Sequence, residues 1–94
     1  MMLQWERDKD PDEVVDYQVS WDQQLGDDDT IDEVTVTVSE DSEVVVDSST
    51  ADGSDVTIWF SGGAEGENCD VLVAIDTAAG RHLEQTITLR VRSR

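Results

Sequence analysis

Covalent catalysis requires an activated hydroxyl or thiol, a base within reach of it, and a group that orients the base. This chain offers one histidine, His82, in Gly80-Arg81-His82-Leu83, and one cysteine, Cys69. His82 falls in a turn-like segment and no serine stands in a GxSxG setting, so it is read as a surface histidine. Cys69 is followed at alternate positions by Val71 and Val73 and is read as a small apolar core residue. Alone, it forms neither an intramolecular disulfide nor a cysteine-based zinc cage. Paired carboxylates can act as acid and base. With 23 Asp and Glu in 94 residues, however, chance pairs are expected everywhere. No catalytic residue is assigned.

Two oxygen-rich stretches, Asp27-Asp28-Asp29 and Asp52-Gly53-Ser54-Asp55, have the composition that attracts calcium. Neither fits the EF-hand pattern with its glutamate at position 12, and both are read as hydrated acidic loops. Gly62-Gly63-Ala64-Glu65-Gly66 is glycine-rich, but Glu65 and Glu67 would repel a phosphate and no helix follows. It is read as a turn. No metal and no cofactor are expected.

Cations are few and therefore informative. Arg81, Arg90, Arg92 and Arg94 are four of the six, and the last three alternate with Leu89, Val91 and Ser93 on one face. Such a stripe either pairs with acids on a neighbouring strand or docks another acidic subunit through bidentate contacts. Trp21 and Tyr17 are expected in the core. Trp5 lies outside any alternation near the N-terminus, which makes it the candidate anchor for a partner. An exposed tryptophan can also stack on a sugar, which keeps a carbohydrate-binding or adhesion module open as an alternative.

The formal net charge is −17, aspartate exceeds glutamate, and Lys9 is the sole lysine. Such a surface repels itself in dilute buffer, whereas molar salt shortens the Debye length to about 3 Å and removes most of the repulsion. This is the composition expected of a protein from a salt-saturated cytoplasm. The competing reading, an acidic mimic of nucleic acid, fits less well because the acids are spread along the chain. Binding of DNA or RNA is disfavoured on the same grounds. The first residues show neither a basic nor an apolar leader region, and no run approaches the roughly 20 apolar residues of a membrane span. A soluble protein made in the cytoplasm, with no membrane partner, is the expectation.

The elements that would position these residues are strands. Val15, Tyr17, Val19 and Trp21 alternate with Asp16, Gln18 and Ser20, and the same period of two recurs at Val34-Val36-Val38, Val56-Ile58-Phe60, Val71-Val73-Ile75 and Ile87-Leu89-Val91. Bulk on both faces of Val56 to Phe60 marks a central strand. Residues 23–29 and 47–55 read as loops, and Val44-Val45-Val46 as a short strand. Strands about 8–12 residues apart with turns between them predict an all-β protein. In a chain of this length that means an immunoglobulin-like β-sandwich of six to seven strands. Residues 1–8 are expected to form an N-terminal arm or short edge strand, and 9–94 the single domain.

Four segments in order, "KDPDEVVDYQVSW", "GDDDTI", "VTIWFSGGAEGENCDV" and "TAAGRHLEQTITLRV", resemble a family of small structural proteins of tailed phages. The family pattern reads K-D-P-x-x-x-L-D-Y-x-x-D-W, G-D-x-I, W-x-S-G-G-x-x-G and G-R-x-x-x-x-T-I-x-x-x-V. Val15, Ser20 and Cys69 depart from it. The resemblance implies an immunoglobulin-like virion component of the fibre–tail adaptor or neck-region type, with no catalytic residue. Its expected partners are other virion proteins, such as portal, neck, tail or fibre subunits, and it would occur in multiple copies in a symmetric assembly. A capsid decoration protein is the alternative within the virion. Together with the acidity, the resemblance implies a virus of a halophilic host.

Overall fold

The structure, a computed structural model, describes residues 3–26 and 28–93. Seven strands and one short helix follow in the order β1 (Leu3–Gln4), β2 (Val15–Ser20), α1 (Asp22–Leu25), β3 (Ile31–Val38), β4 (Val44–Asp52), β5 (Asp55–Gly62), β6 (Asn68–Thr77) and β7 (His82–Arg90). They form a four-stranded sheet ordered β1-β7-β6-β3 and a three-stranded sheet ordered β2-β5-β4. All pairings are antiparallel except β1 with β7. The neighbour relations β2–β5 and β3–β6 cross from one sequence half to the other, as in immunoglobulin-like sandwiches. The fold class expected from the alternation is the one observed.

One parity of each strand makes the core. Val56, Ile58 and Phe60 of β5 are fully buried and face Val71, Val73 and Ile75 of β6, with Tyr17, Val19, Ile87 and Leu89 completing the layer. A fully buried Val, Ile or Phe contributes about 1.5–3 kcal/mol, so this layer supplies most of the favourable free energy. β5 is central in its sheet, as its two bulky faces suggested. Cys69 is buried, and burial pushes its thiol pKa up, away from the reactive thiolate.

Two segments read as loops are regular. Asp22–Leu25 is a helical turn, because the Trp21 carbonyl accepts from the N–H groups of Gln24 and Leu25. Trp21 and Leu25, four residues apart, are both buried by it. Gly26 at φ 68° ends the turn. The strand expected at Val44-Val45-Val46 runs on to Asp52 through a bulge at Asp47, pairing Ser48, Ser49 and Thr50 with Trp59, Ile58 and Thr57. Polar residues are compatible with a strand that has one face in water. Gly53, at φ 64°, makes the Gly53-Ser54 pair a tight hairpin turn between Asp52 and Asp55.

The two sheets are tied together by Lys9, which is buried and not part of an exposed charged turn. Its backbone continues the parallel pairing of β1: its N–H donates to the Arg90 carbonyl, and its own carbonyl accepts from the Arg92 N–H, each at 2.9 Å. Its Nζ crosses to the other sheet and donates to the carbonyl of Gly62 at 2.6 Å and to that of Asp10 at 2.9 Å. Burial pushes the ammonium pKa below its ordinary value, and the carboxylates of Glu13, Asp10, Asp12 and Asp47 pull it back up. Gly62 must be glycine here: its φ is +70°, and a Cβ would lie 2.6 Å from the Glu43 carbonyl oxygen.

Replacing a buried charge with an apolar group of similar shape is often neutral when both partners go, but here the carbonyl partners belong to the backbone and stay. Lys9→Met is therefore expected to destabilise the protein by about 1–3 kcal/mol per stranded carbonyl, or roughly 4–8 °C in melting temperature for each kcal/mol. Thermal denaturation of the variant measures it; coincident melting curves would refute the role of this contact.

Candidate interaction surfaces

Of the arginines expected to form an outward stripe, Arg90 and Arg92 are engaged within the chain. Arg90 pairs with Asp8 of the N-terminal arm, Nη2 to Oδ1 at 2.9 Å. Arg92 donates through Nη1 to the carbonyls of Glu67 and Val91 and through Nη2 to Asn68. Arg94 lies outside the described residues. Arg81 projects from the β6–β7 turn with half its side chain exposed and donates to Asp29 Oδ2 at 2.6 Å.

Asp29 corrects the reading of a hydrated acidic loop. Its side chain is 1% exposed and accepts from the N–H groups of Thr30 and Ala79 as well as from Arg81. Burial would raise its pKa, but hydrogen bonds from Thr77, Ala79, Arg81 and Thr30 outweigh it and hold the carboxyl below its ordinary range. This carboxylate ties the β2–β3 connection to the β6–β7 turn. Asp28 is exposed, and Asp27 lies outside the described residues. His82 is exposed at the start of β7, with Nδ1 2.8 Å from Asp76 and Nε2 3.1 Å from Glu84. Those two carboxylates raise its pKa. Among the described residues, no group of three or more His, Cys, Asp or Glu could hold a metal ion, and no helix is long and apolar enough to cross a membrane.

The three tryptophans have different settings. Trp21 is buried. Trp5 is half-buried: its ring lies 5.0 Å from Tyr17 and 5.7 Å from Phe60, and its Nε1 donates to the Gln18 carbonyl at 3.0 Å. Beside it, Arg7 lies 4.5 Å over the Tyr17 ring and donates to the Asp16 carbonyl. The arm thus occupies two carbonyls of β2 and leaves a shallow groove between itself and that strand. Trp59 is the outward one, 42% exposed on the far side of β5. The sequence held its signal, since Trp59 has the parity opposite to the core residues Ile58 and Phe60.

Asp29 fixes the sign of one pH effect. Its folded pKa is depressed, so the stability it adds is complete above the unfolded value of about 4 and is lost as the pH falls through the folded value. Asp29→Asn should melt below the wild type at pH 7, with the gap narrowing below about pH 4. A gap independent of pH, in melts taken across that range, would contradict the assignment.

Among curated proteins, none matches the chain at a significant level. A family model does, over residues 9–90: that of the podophage GP4 fiber-tail adaptor protein gp77. The matched span begins at the buried Lys9 and ends at Arg90, so it takes in both points where the chain is pinned, and the chain belongs to this family of phage tail structural proteins.

Proposed function

We propose that the protein is a non-enzymatic connector in the neck and tail region of a tailed virus, present in several copies around the tail axis and joining rings to fibres. The observation that carries this reading is the family match across residues 9–90. The build of the molecule supports it. It is a two-sheet block with principal extents of 41 × 24 × 22 Å, pinned by Lys9 at one end of β7 and by Asp29 at the other, a build suited to sit between neighbouring subunits. The arm ahead of Lys9 and the half-exposed Arg81 are further places for virion partners to contact.

The acidity fits assembly in the cytoplasm of a halophilic host. Exposed acids occupy the outer sides of both sheets, with Asp47 and Asp52 on one and Asp70, Asp76 and Glu84 on the other. A nucleic-acid mimic would concentrate them in one stripe. Spread charge of one sign is a repulsion that molar salt screens.

Quantitative mass spectrometry of purified particles tests the connector role. The expected result is a copy number that is a small multiple of the tail's rotational symmetry. A number that scales with the capsid lattice would indicate head decoration instead, and absence from particles would end the reading. The salt reading has its own check: the melting temperature should rise from dilute buffer to about 1 M salt, where the Debye length is about 3 Å. Equal values across that range would remove halophily.

A further inference from the structure

Among the described residues, the large apolar side chains that stand exposed, Val14 (62%), Val45 (51%) and Trp59 (42%), fall on one face. In the β2-β5-β4 sheet, Val45 is directly opposite Ser61, and Trp59 is the next residue of the same parity along β5. Val15 pairs with Phe60 and packs on the core, so Val14 ahead of it turns to the outer side with Ser61 and Val45. Carboxylates border this patch. Asp16 is the β2 partner of Trp59, and Asp47, in the β4 bulge, accepts from the Ser61 hydroxyl at 3.0 Å. Asp52 and Asp55 close the far end of the face. The arginines of known placement bond elsewhere, to Asp29, Asp8, Asn68 and backbone carbonyls.

We infer that this outer face of β2, β5 and β4, centred on Trp59, is a docking surface for a different protein subunit, one that presents an apolar recess ringed by arginine or lysine. Tryptophan in the middle of an apolar patch is the residue type that most often dominates an interface. A carboxylate border selects a basic partner and orients its approach, and arginine fits such a border with paired hydrogen bonds. A second copy of this chain does not fit. Face-to-face contact would press Asp16, Asp47, Asp52 and Asp55 of two chains together at contact range, inside the roughly 3 Å Debye length that remains even in molar salt.

The inference rests on the tail-component reading above, and one experiment separates the two. Particles are purified from cells in which the viral gene carries Trp59→Ser, or Leu72→Ser on the outer side of the other sheet, and the protein is counted by mass spectrometry. Trp59→Ser should still fold, because Trp59 lies outside the buried core, yet fall at least tenfold in the particle, whereas Leu72→Ser should enter normally. Asp16→Lys combined with Asp47→Lys keeps the tryptophan and should also enter poorly. Wild type present and both face variants incorporated at its level would overturn this face alone. Wild type absent would overturn the tail reading and this inference with it. Benzoylphenylalanine in place of Thr57, photolysed in intact particles, identifies the occupant. Attachment to another tail protein next to arginine or lysine supports the inference; attachment to a second copy of this chain, to glycan or to DNA overturns it.

Discussion

A single ammonium group sets the geometry of one end of the molecule. Lys9 takes its backbone partners from the end of β7 and sends its side chain to the end of β5, so one residue belongs to both sheets. The carbonyl it reaches is available because Gly62 adopts a positive φ close against the Glu43 backbone. Gly63 follows at φ +106°, and a Cβ there would lie 3.0 Å from a Val91 methyl. The turn from Asp10 to Glu13 is shaped around the same point, for the Asp10 carbonyl accepts both from Lys9 Nζ and from the Glu13 N–H. Lysine and paired glycines distant in sequence thus answer one requirement, the burial of a cation against backbone carbonyls.

At the opposite end of β7 the charges are reversed and the logic is the same. Asp29 is buried among N–H donors and one guanidinium, and it holds two connections that would otherwise be independent loops. Neither pin rivals the apolar layer in free energy. Their effect is on uniqueness: a thin sandwich of small aliphatic residues could slide or splay, and a polar group with fixed partners at each end penalises every register but one.

The strands were legible because half-buried β-structure writes itself as alternation. Tyr17, Val19, Ile58, Phe60, Val71, Val73, Ile75, Ile87 and Leu89 all have the expected orientation. What misled was polarity taken as a sign of irregularity. Ser48-Ser49-Thr50 is strand, since only one side of it meets the core, and Asp52-Gly53-Ser54-Asp55 is a hairpin turn in place of a loose acidic loop. Lys9 and Asp29 were illegible for a deeper reason. Charged residues are rarely buried, and what makes these two exceptions, the Gly62 carbonyl and the Arg81 guanidinium, lies 53 and 52 positions away. Trp5, outside any alternation, is half-buried because Tyr17 and Phe60 give it a seat, a contact that spacing alone does not show.

The surface follows from the same economy. A domain this small commits nearly every inward position to one layer of aliphatic packing, and its polar pins consume most of its cations internally: Lys9, Arg7, Arg81, Arg90 and Arg92 all bond within the chain. Among the described residues, what remains outside is largely carboxylate and hydroxyl, over both sheets, interrupted by the exposed apolar side chains Val14, Val45 and Trp59. Carboxylates of two copies still repel at contact range, where even in molar salt a Debye length of about 3 Å leaves them unscreened. An apolar opening in an acidic exterior favours a partner able to match both the tryptophan and the charges around it. The rigidity of the block then matters at this opening: Trp59 sits on the central strand, paired on both sides and one residue from the buried Phe60, so its position is fixed by the core itself.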